Sequence, residues 1–344
     1  MKRSNLTMKR LLTVSSMNIT AKITIKLLTP LFISLLIAAC EQADNINTSN
    51  NKAEQSNVSK QVTVIDFKGR EVSLNSPAKR IVALAPHVVE NVFSAGAGDK
   101  LVGVVSYSDF PEQATKLPIV GGYAKTNLEK ILELQPDLVI AWESGNSDSS
   151  LERIQELGFP VYIDQPDELD DVGKSIKDIG TLAGTSEVAN KVASDYLKKV
   201  EIVRAKKLHQ QPVSAFYQVW NSPLRTINGG HIISDAIELC GGVNIYADES
   251  AVAPVINIES ILERNPESII ASGMSDSRPE WLDEWKEWPS LNAVKKDNLF
   301  FVDPDHIQRH TVRILFGIES ICQQLEVARQ KRINNAVDNS KAPN

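Results

Sequence analysis

The sequence predicts an α/β protein of two similar lobes with central, mainly parallel sheets, bridged by one long α-helix, with a ligand cleft between the lobes. Three observations predict it. The first is an internal repeat. Residues Asn127 to Ala141 (NLEKILELQPDLVIA) return 130 positions later as Asn257 to Ala271 (NIESILERNPESIIA), and eight of the fifteen positions are identical. The second is the alternation of short apolar runs with helical patterns in each half, as parallel βαβ units require. The third is an unbroken helical pattern from about Ser186 to Lys207, lying between the halves with no Pro or Gly inside.

Each copy of the repeat reads as a short helix feeding a buried strand. Asn127 and Asn257 are good N-caps, because the side-chain oxygen accepts from an unpaired amide of the first turn. Apolar residues follow at helical spacing, and Pro136 and Pro266 stop each helix. Glu129 and Glu259 fall at equivalent places in the first turn. A carboxylate there either complements the positive helix end, worth about 1 kcal/mol at most, or forms one of two matching acidic knobs for a partner with two-fold symmetry.

The first sixty residues read as targeting sequence. Lys2, Arg3, Lys9, Arg10, Lys22 and Lys26 precede an apolar stretch, Leu27 to Ala39, that is short for a mature membrane span. It ends in Ile37-Ala38-Ala39-Cys40, which resembles a bacterial lipobox; the alternative is an ordinary secretory signal with an incidental cysteine. On the first reading 1–39 is a lipoprotein-type signal peptide and Cys40 is the lipidated N-terminus. Residues 40–61 are polar with almost nothing to bury, a disordered tether spanning roughly 25 Å as a coil. The expected location is the periplasmic or cell-envelope face of a bacterial membrane, lipid-anchored. With Cys40 set aside, Cys240 and Cys322 remain, and in an oxidising compartment an even pair suggests a disulfide rather than two free thiols.

The folded chain then divides into an N-terminal lobe at 62–180, a bridging helix at 181–210, a C-terminal lobe at 211–333 and a disordered tail at 334–344. Val62 to Leu74 alternates around Lys68-Gly69, a hairpin. Arg80 to Leu84 is a buried strand running into Pro86-His87 and a helix through Glu90 and Phe93. Leu101 to Val105 is a strand, followed by loops carrying Tyr107 and, later, Gly121-Gly122-Tyr123. The first repeat copy ends at Trp142 on a loop, and Val161 to Ile163 adds a strand. In the second half, Ser214 to Val219 is a strand ending at Trp220, and Ser234 to Cys240 is a helix stopped by Gly241-Gly242. Trp281, Trp285 and Trp288 follow at helical spacing, which favours one packed helix face over a ligand box. Leu299 to Val302 is a strand, His306 to Arg309 lies in a loop or helix start, and a final helix carries Cys322.

Composition excludes several functions. A hydrophobic content of 42% with 23% charged is ordinary for a soluble globular protein, and a net charge of −6 offers no basic face for nucleic acid. No nucleophile elbow, Walker loop, GxGxxG or HExxH is present, so no enzyme is predicted. His306 and His310, four apart, lack a third ligand nearby, and no metal or cofactor is expected. Ligands of open α/β sheets bind beyond the carboxyl ends of the strands. Those ends carry His87, Tyr107, Tyr123, Trp142, Trp220, Asp305, His306 and Arg309, the aromatic and polar set that a large, flat, partly apolar ligand requires.

At this point the chain resembles a family. The order lipobox, tether, hairpin, Arg80-Ile81-Val82-Ala83-Leu84-Ala85-Pro86, Asn127-Leu128-Glu129, Pro136-Asp137-Leu138-Val139-Ile140-Ala141-Trp142, long helix and second repeat is similar to the iron-complex/vitamin B12 class of ABC-transporter substrate-binding proteins. Ser106 to Pro111, Gly145-Asn146, Cys240 to Ile245 and the pair Cys240/Cys322 carry the likeness further. The resemblance implies a monomer with little hinge closure that holds cobalamin or a related corrinoid and hands it to an ABC permease dimer in the inner membrane. A ferric-siderophore or haem binder is the alternative within the class. It also implies that Glu129 and Glu259 dock on arginines of the two membrane subunits. The chain departs from the pattern at Ala253, where the family places a cleft tryptophan, and at Tyr123, which replaces another.

Overall fold

The computed structural model describes residues 61–341 apart from 123, 208–210 and 275–276. The expected signal peptide, Cys40, the expected tether up to residue 60 and Tyr123 lie outside the described residues. The chain opens with an antiparallel hairpin, β1 (Val62–Ile65) with β2 (Glu71–Leu74), in the register Val62 opposite Leu74. Its turn is organised by buried Asp66, which accepts from the backbone amides of Lys68 and Arg70 and from the Arg70 guanidinium. Gly69 takes φ +72°, a left-handed value that costs glycine nothing.

The first lobe follows as β3 (Ile81–Ala83), α1 (Pro86–Ser94), β4 (Leu101–Val104), α2 (Leu128–Leu134), β5 (Leu138–Trp142), α3 (Asp148–Glu156), β6 (Val161–Asp164) and α4 (Leu169–Ala183). Its four strands are all parallel in the order β4-β3-β5-β6. After α5 (Ser186–Lys207) the second lobe runs β7 (Val213–Gln218), a small hairpin of β8 (Trp220–Asn221) and β9 (Leu224–Arg225), α6 (Ile232–Leu239), β10 (Gly242–Asn244), α7 (Ile258–Arg264), β11 (Ser268–Ala271), α8 (Asn292–Lys295), β12 (Leu299–Phe301), α9 (Pro304–Ile307) and α10 (Ile314–Lys341). Its sheet, β10-β7-β11-β12, is again wholly parallel. In both sheets the second strand of the order comes first in the chain, so the two lobes share one winding.

The repeat forms α2–β5 and α7–β11, and its sequence logic is visible atom by atom. Asn127 Oδ1 accepts from the Lys130 amide at 3.1 Å, and Asn257 Oδ1 accepts from Ser260 at 2.8 Å. Each helix ends one residue before its proline, at Gln135 (φ 45°) and Asn265 (φ 43°), both left-handed. Proline forbids the right-handed helical conformation to its predecessor, and here the escape is into αL rather than into the extended region.

One hydrophobic cluster runs through both lobes. Val88 and Ile176 of the first lobe, Tyr196 and Val200 of α5, and Ile232 and Ile318 of the second all belong to it. On the far face of each sheet lies a smaller core, around Ile131 and Val139 in one lobe and Ile261 and Ile269 in the other. The bridging helix is therefore more than a strut, because its buried face is part of the shared core. Cys240 at the end of α6 and Cys322 in α10 form a disulfide, 82 positions apart.

Two expectations are corrected. The final helix continues to Lys341, past 334 where a disordered tail is expected, because no helix breaker intervenes before that point. The tryptophan stretch forms a 3-10 segment, Glu280–Glu287, in which Trp285 is buried while Trp281 and Trp288 are half-exposed. The expected helix start at His306 is α9, which stops at Ile307, so His310 lies beyond it.

Candidate functional site

A parallel sheet wound in both directions from one strand leaves a crevice outside the carboxyl ends of the two strands where the direction reverses. In the first lobe those strands are β3 and β5. His87, just beyond β3, and Trp142, the last residue of β5, meet there edge to face with ring centroids 5.1 Å apart. The Trp142 loop is pinned by Asn146, whose Oδ1 accepts from the Trp142 amide at 2.7 Å and whose Nδ2–H donates to Leu84 O at 3.0 Å. Gly145 lies under the indole, and a Cβ at that position would collide with the ring. In the second lobe the equivalent strands are β7 and β11, where Tyr217 Oη and Ser272 Oγ are 2.8 Å apart and both are buried.

Two polar clusters close the gap between the lobes. The first is imidazole-rich. His87 Nε2 is 3.5 Å from Oδ2 of the buried Asp164 at the end of β6. The His87 ring lies 5.4 Å from that of His310, which in turn lies 5.5 Å from His231 at the start of α6. His231 caps α6 by accepting the Ile233 amide on Nδ1 at 3.1 Å. Burial pushes the His231 pKa down to about 4. His310 falls well below the ordinary histidine value, through burial first and then the neighbouring His87 and His231.

The second cluster is an arginine–carboxylate network. Arg309 reaches Glu90 in α1 at 2.9 Å, Asp109 at 2.6 Å and Asp305 at 2.9 Å. Arg313 adds a second contact to Glu90 at 3.0 Å, and the Thr311 hydroxyl adds a third. Burial raises the Glu90 pKa despite these partners. Burial also opposes the charge on Arg309, but its bonds to Asp109 and Glu90 outweigh that and raise its pKa above the usual arginine value. Asp109 pays a smaller burial penalty and is held below the ordinary carboxylate range by Arg309.

The structure thus brings His87 to Trp142 and Asp305 to Arg309, while Tyr107, Trp220 and His306 sit on separate segments. Tyr107 follows β4 with φ 66° and is 78% exposed. Trp220 opens the β8–β9 hairpin, half-buried, and its Nε1–H donates to Ser222 O at 2.9 Å. His306 sits beside Asp303 at 3.6 Å and packs its ring on Phe316, 5.2 Å away. Ala253 is exposed, and its carbonyl accepts from Arg225. Among the described residues no three His, Cys, Asp or Glu side chains converge as metal ligands would. Glu90, Asp109 and Arg313 were missed by the site reading. Glu90 carried a usable signal, because a carboxylate inside the apolar helix PHVVENVF must be paired or protonated.

Glu129 and Glu259 are exposed in the first turns of α2 and α7, and among the described residues neither has an ion-pair partner. Each helix precedes a strand of its own parallel sheet and runs antiparallel to it. Both carboxylates therefore lie at the ends of the lobes from which the strand-end loops rise.

Residues 81–306 match the model of the periplasmic binding protein family. The chain belongs to this family. A vitamin B12-binding protein of Vibrio cholerae serotype O1 is 37% identical over 256 residues, covering 74% of this chain and 92% of the relative. One from Vibrio campbellii is likewise 37% identical, covering 75% of this chain and 93% of the relative. The crystal structure of the periplasmic vitamin B12 binding protein BtuF of Vibrio cholerae superposes with a TM-score of 0.68 at 37% identity, covering 74% of this chain and 98% of that one. The periplasmic heme-binding protein RhuT from Roseiflexus sp. RS-1, with a TM-score of 0.63 at 20% identity over 73% of this chain and 99% of that one, shares the fold. Two parallel-sheet lobes, one bridging helix and strand-end loops facing one another are the architecture of this periplasmic binding protein.

Proposed function

We propose that this periplasmic binding protein captures cobalamin or a related corrinoid between its lobes and delivers it to the permease dimer of an ABC importer, without catalysis. The observation that carries the ligand is the 37% identity to a vitamin B12-binding protein over 92% of that protein's length. The geometry supports the place. Trp142 and Trp220 supply apolar surface at strand ends of opposite lobes, Tyr107 is exposed beyond β4, and Asp305 and Asp109 present carboxylate edges already oriented by Arg309. A corrin ring with amide arms needs wide apolar walls and a few fixed hydrogen-bonding groups. Glu129 and Glu259, without ion-pair partners among the described residues and related by the repeat, are the docking residues in this reading. Cys40 is the lipid attachment point, leaving the folded part monomeric on its tether.

Calorimetry of the purified protein with cyanocobalamin, cobinamide, haemin and a ferric siderophore tests the ligand. The expected result is tight binding of a corrinoid and none of the iron complexes. Binding of an iron complex alone would transfer the protein to that branch of the family. Charge reversal in the pair Glu129→Arg and Glu259→Arg is expected to abolish uptake while leaving corrinoid affinity within a few-fold, and normal uptake would return both residues to helix-end stabilisers.

A further inference from the structure

On the second lobe a cavity of about 360 Å³ opens beside Glu259. Trp281, Trp285 and Trp288 line it, together with the exposed carboxylates of Glu259 and Glu284 and the buried amide of Gln218. The aromatic wall is fixed in place. Trp285 Nε1–H donates to Gln218 Oε1 at 2.7 Å, and the Trp288 ring stands 5.4 Å from that of Trp285, tilted by 52°. Among the described residues neither Glu259 nor Glu284 has an ion-pair partner. The nearest cations in the segment are already engaged, since Arg278 and Lys286 both pair with Asp283.

Three indoles and two unpaired carboxylates around one cavity describe a receptor for a cation. Indole faces attract positive charge, and a carboxylate rim adds to the attraction. A guanidinium suits the site better than an ammonium, because its plane stacks on an indole while its edge binds carboxylate in two places. Among the described residues the first copy of the repeat is followed by a different helix. Between β5 and β6 that helix is α3, whose sequence DSSLERIQE carries no aromatic residue. The repeat is therefore symmetric in its acidic residues, while α3 and the tryptophan segment that follow its two copies differ.

The geometry points to an arginine socket: the tryptophan cavity beside Glu259 receives a guanidinium side chain of the membrane partner. The assignment of the occupant rests on the docking reading of Glu259, with which the cavity is continuous.

Titration of the whole protein with N-acetylarginine amide, followed through the indole N–H resonances and tryptophan fluorescence, tests the socket without any membrane protein. Saturable shifts of the Trp281 and Trp288 signals at millimolar concentration are expected, with none from N-acetylnorvaline amide. Glu284→Gln, an exposed change that leaves the core intact, should weaken the binding several-fold. In proteoliposomes containing the permease, Trp281→Ala and Glu284→Gln should each lower uptake several-fold while corrinoid affinity stays unchanged. No saturable shift overturns the socket. Saturable shifts with unimpaired uptake by both variants overturn the membrane partner as its occupant. The docking reading is judged separately by the double charge reversal, which includes Glu129, a residue outside the cavity.

Discussion

His231 ties ionisation to structure through one nitrogen. Its Nδ1 accepts the Ile233 amide, and a protonated imidazole has no lone pair with which to do so. The folded pKa is lowered to about 4 from an ordinary 6.5, so the unfolded chain takes up this proton first as pH falls. Stability from His231 is complete above pH 6.5, declines as pH drops toward 4 and then levels off. A shift of this size is worth about 3 kcal/mol, and buried His310 acts in the same direction. His231→Asn keeps a capping oxygen and cannot titrate. Urea unfolding of that variant should give near-native stability at pH 8 and a shallower loss between pH 6.5 and 4; an unchanged slope would contradict it. Glu90 poses the opposite problem, a buried carboxylate that must keep its cations. Arg309→Ala is expected to destabilise the fold by about 3 kcal/mol, as removing one partner of a buried pair does, with Arg313 limiting the loss.

At the scale of elements, the strand-to-loop junction at Trp142 matters most for the ligand. The Asn146 bonds hold the loop against β3, and Gly145 gives the indole a flat bed. Gly145→Ala should displace the ring and lower corrinoid affinity about tenfold by calorimetry, roughly the loss of 1.4 kcal/mol. The helix caps of the repeat act on stability instead. Asn127→Ala and Asn257→Ala should each cost about 1 kcal/mol in chemical denaturation, and equal costs would reflect the equivalence of α2 and α7.

The whole molecule is organised as two lobes on one core. Tyr196 and Val200 of α5 pack with residues of both lobes, and the Asn91 amide donates to His310 O at 3.0 Å across the same boundary. Opening the lobes would expose this shared apolar surface, so large hinge motion is disfavoured. Small-angle scattering should give the same radius of gyration with and without corrinoid, and a marked contraction would contradict the shared-core account. The Cys240–Cys322 bond ties α6 to α10 within the second lobe. Closing a loop of 82 residues restricts the unfolded chain by about 4–5 kcal/mol in the entropic model. Reduction, or Cys322→Ser, should lower the unfolding free energy by an amount approaching that value.

The sequence by itself determined the elements whose causes are local. Asn127 and Asn257 cap helices, Pro136 and Pro266 end them, Gly69 turns the hairpin, and the uninterrupted pattern from Ser186 to Lys207 is the bridging helix. Periodicity and capping act over a few residues, so they can be read without the fold. The tertiary structure decided everything that joins distant segments. Glu90 and Arg309 are 219 positions apart, and their pairing follows from lobe packing that no local pattern encodes. His310 lies outside the helix of His306, because α9 ends at Ile307, and tertiary packing places it between His87 and His231. The three tryptophans at helical spacing line a cavity, because the segment winds as a 3-10 turn and leaves two of its indoles half-exposed beside Glu259.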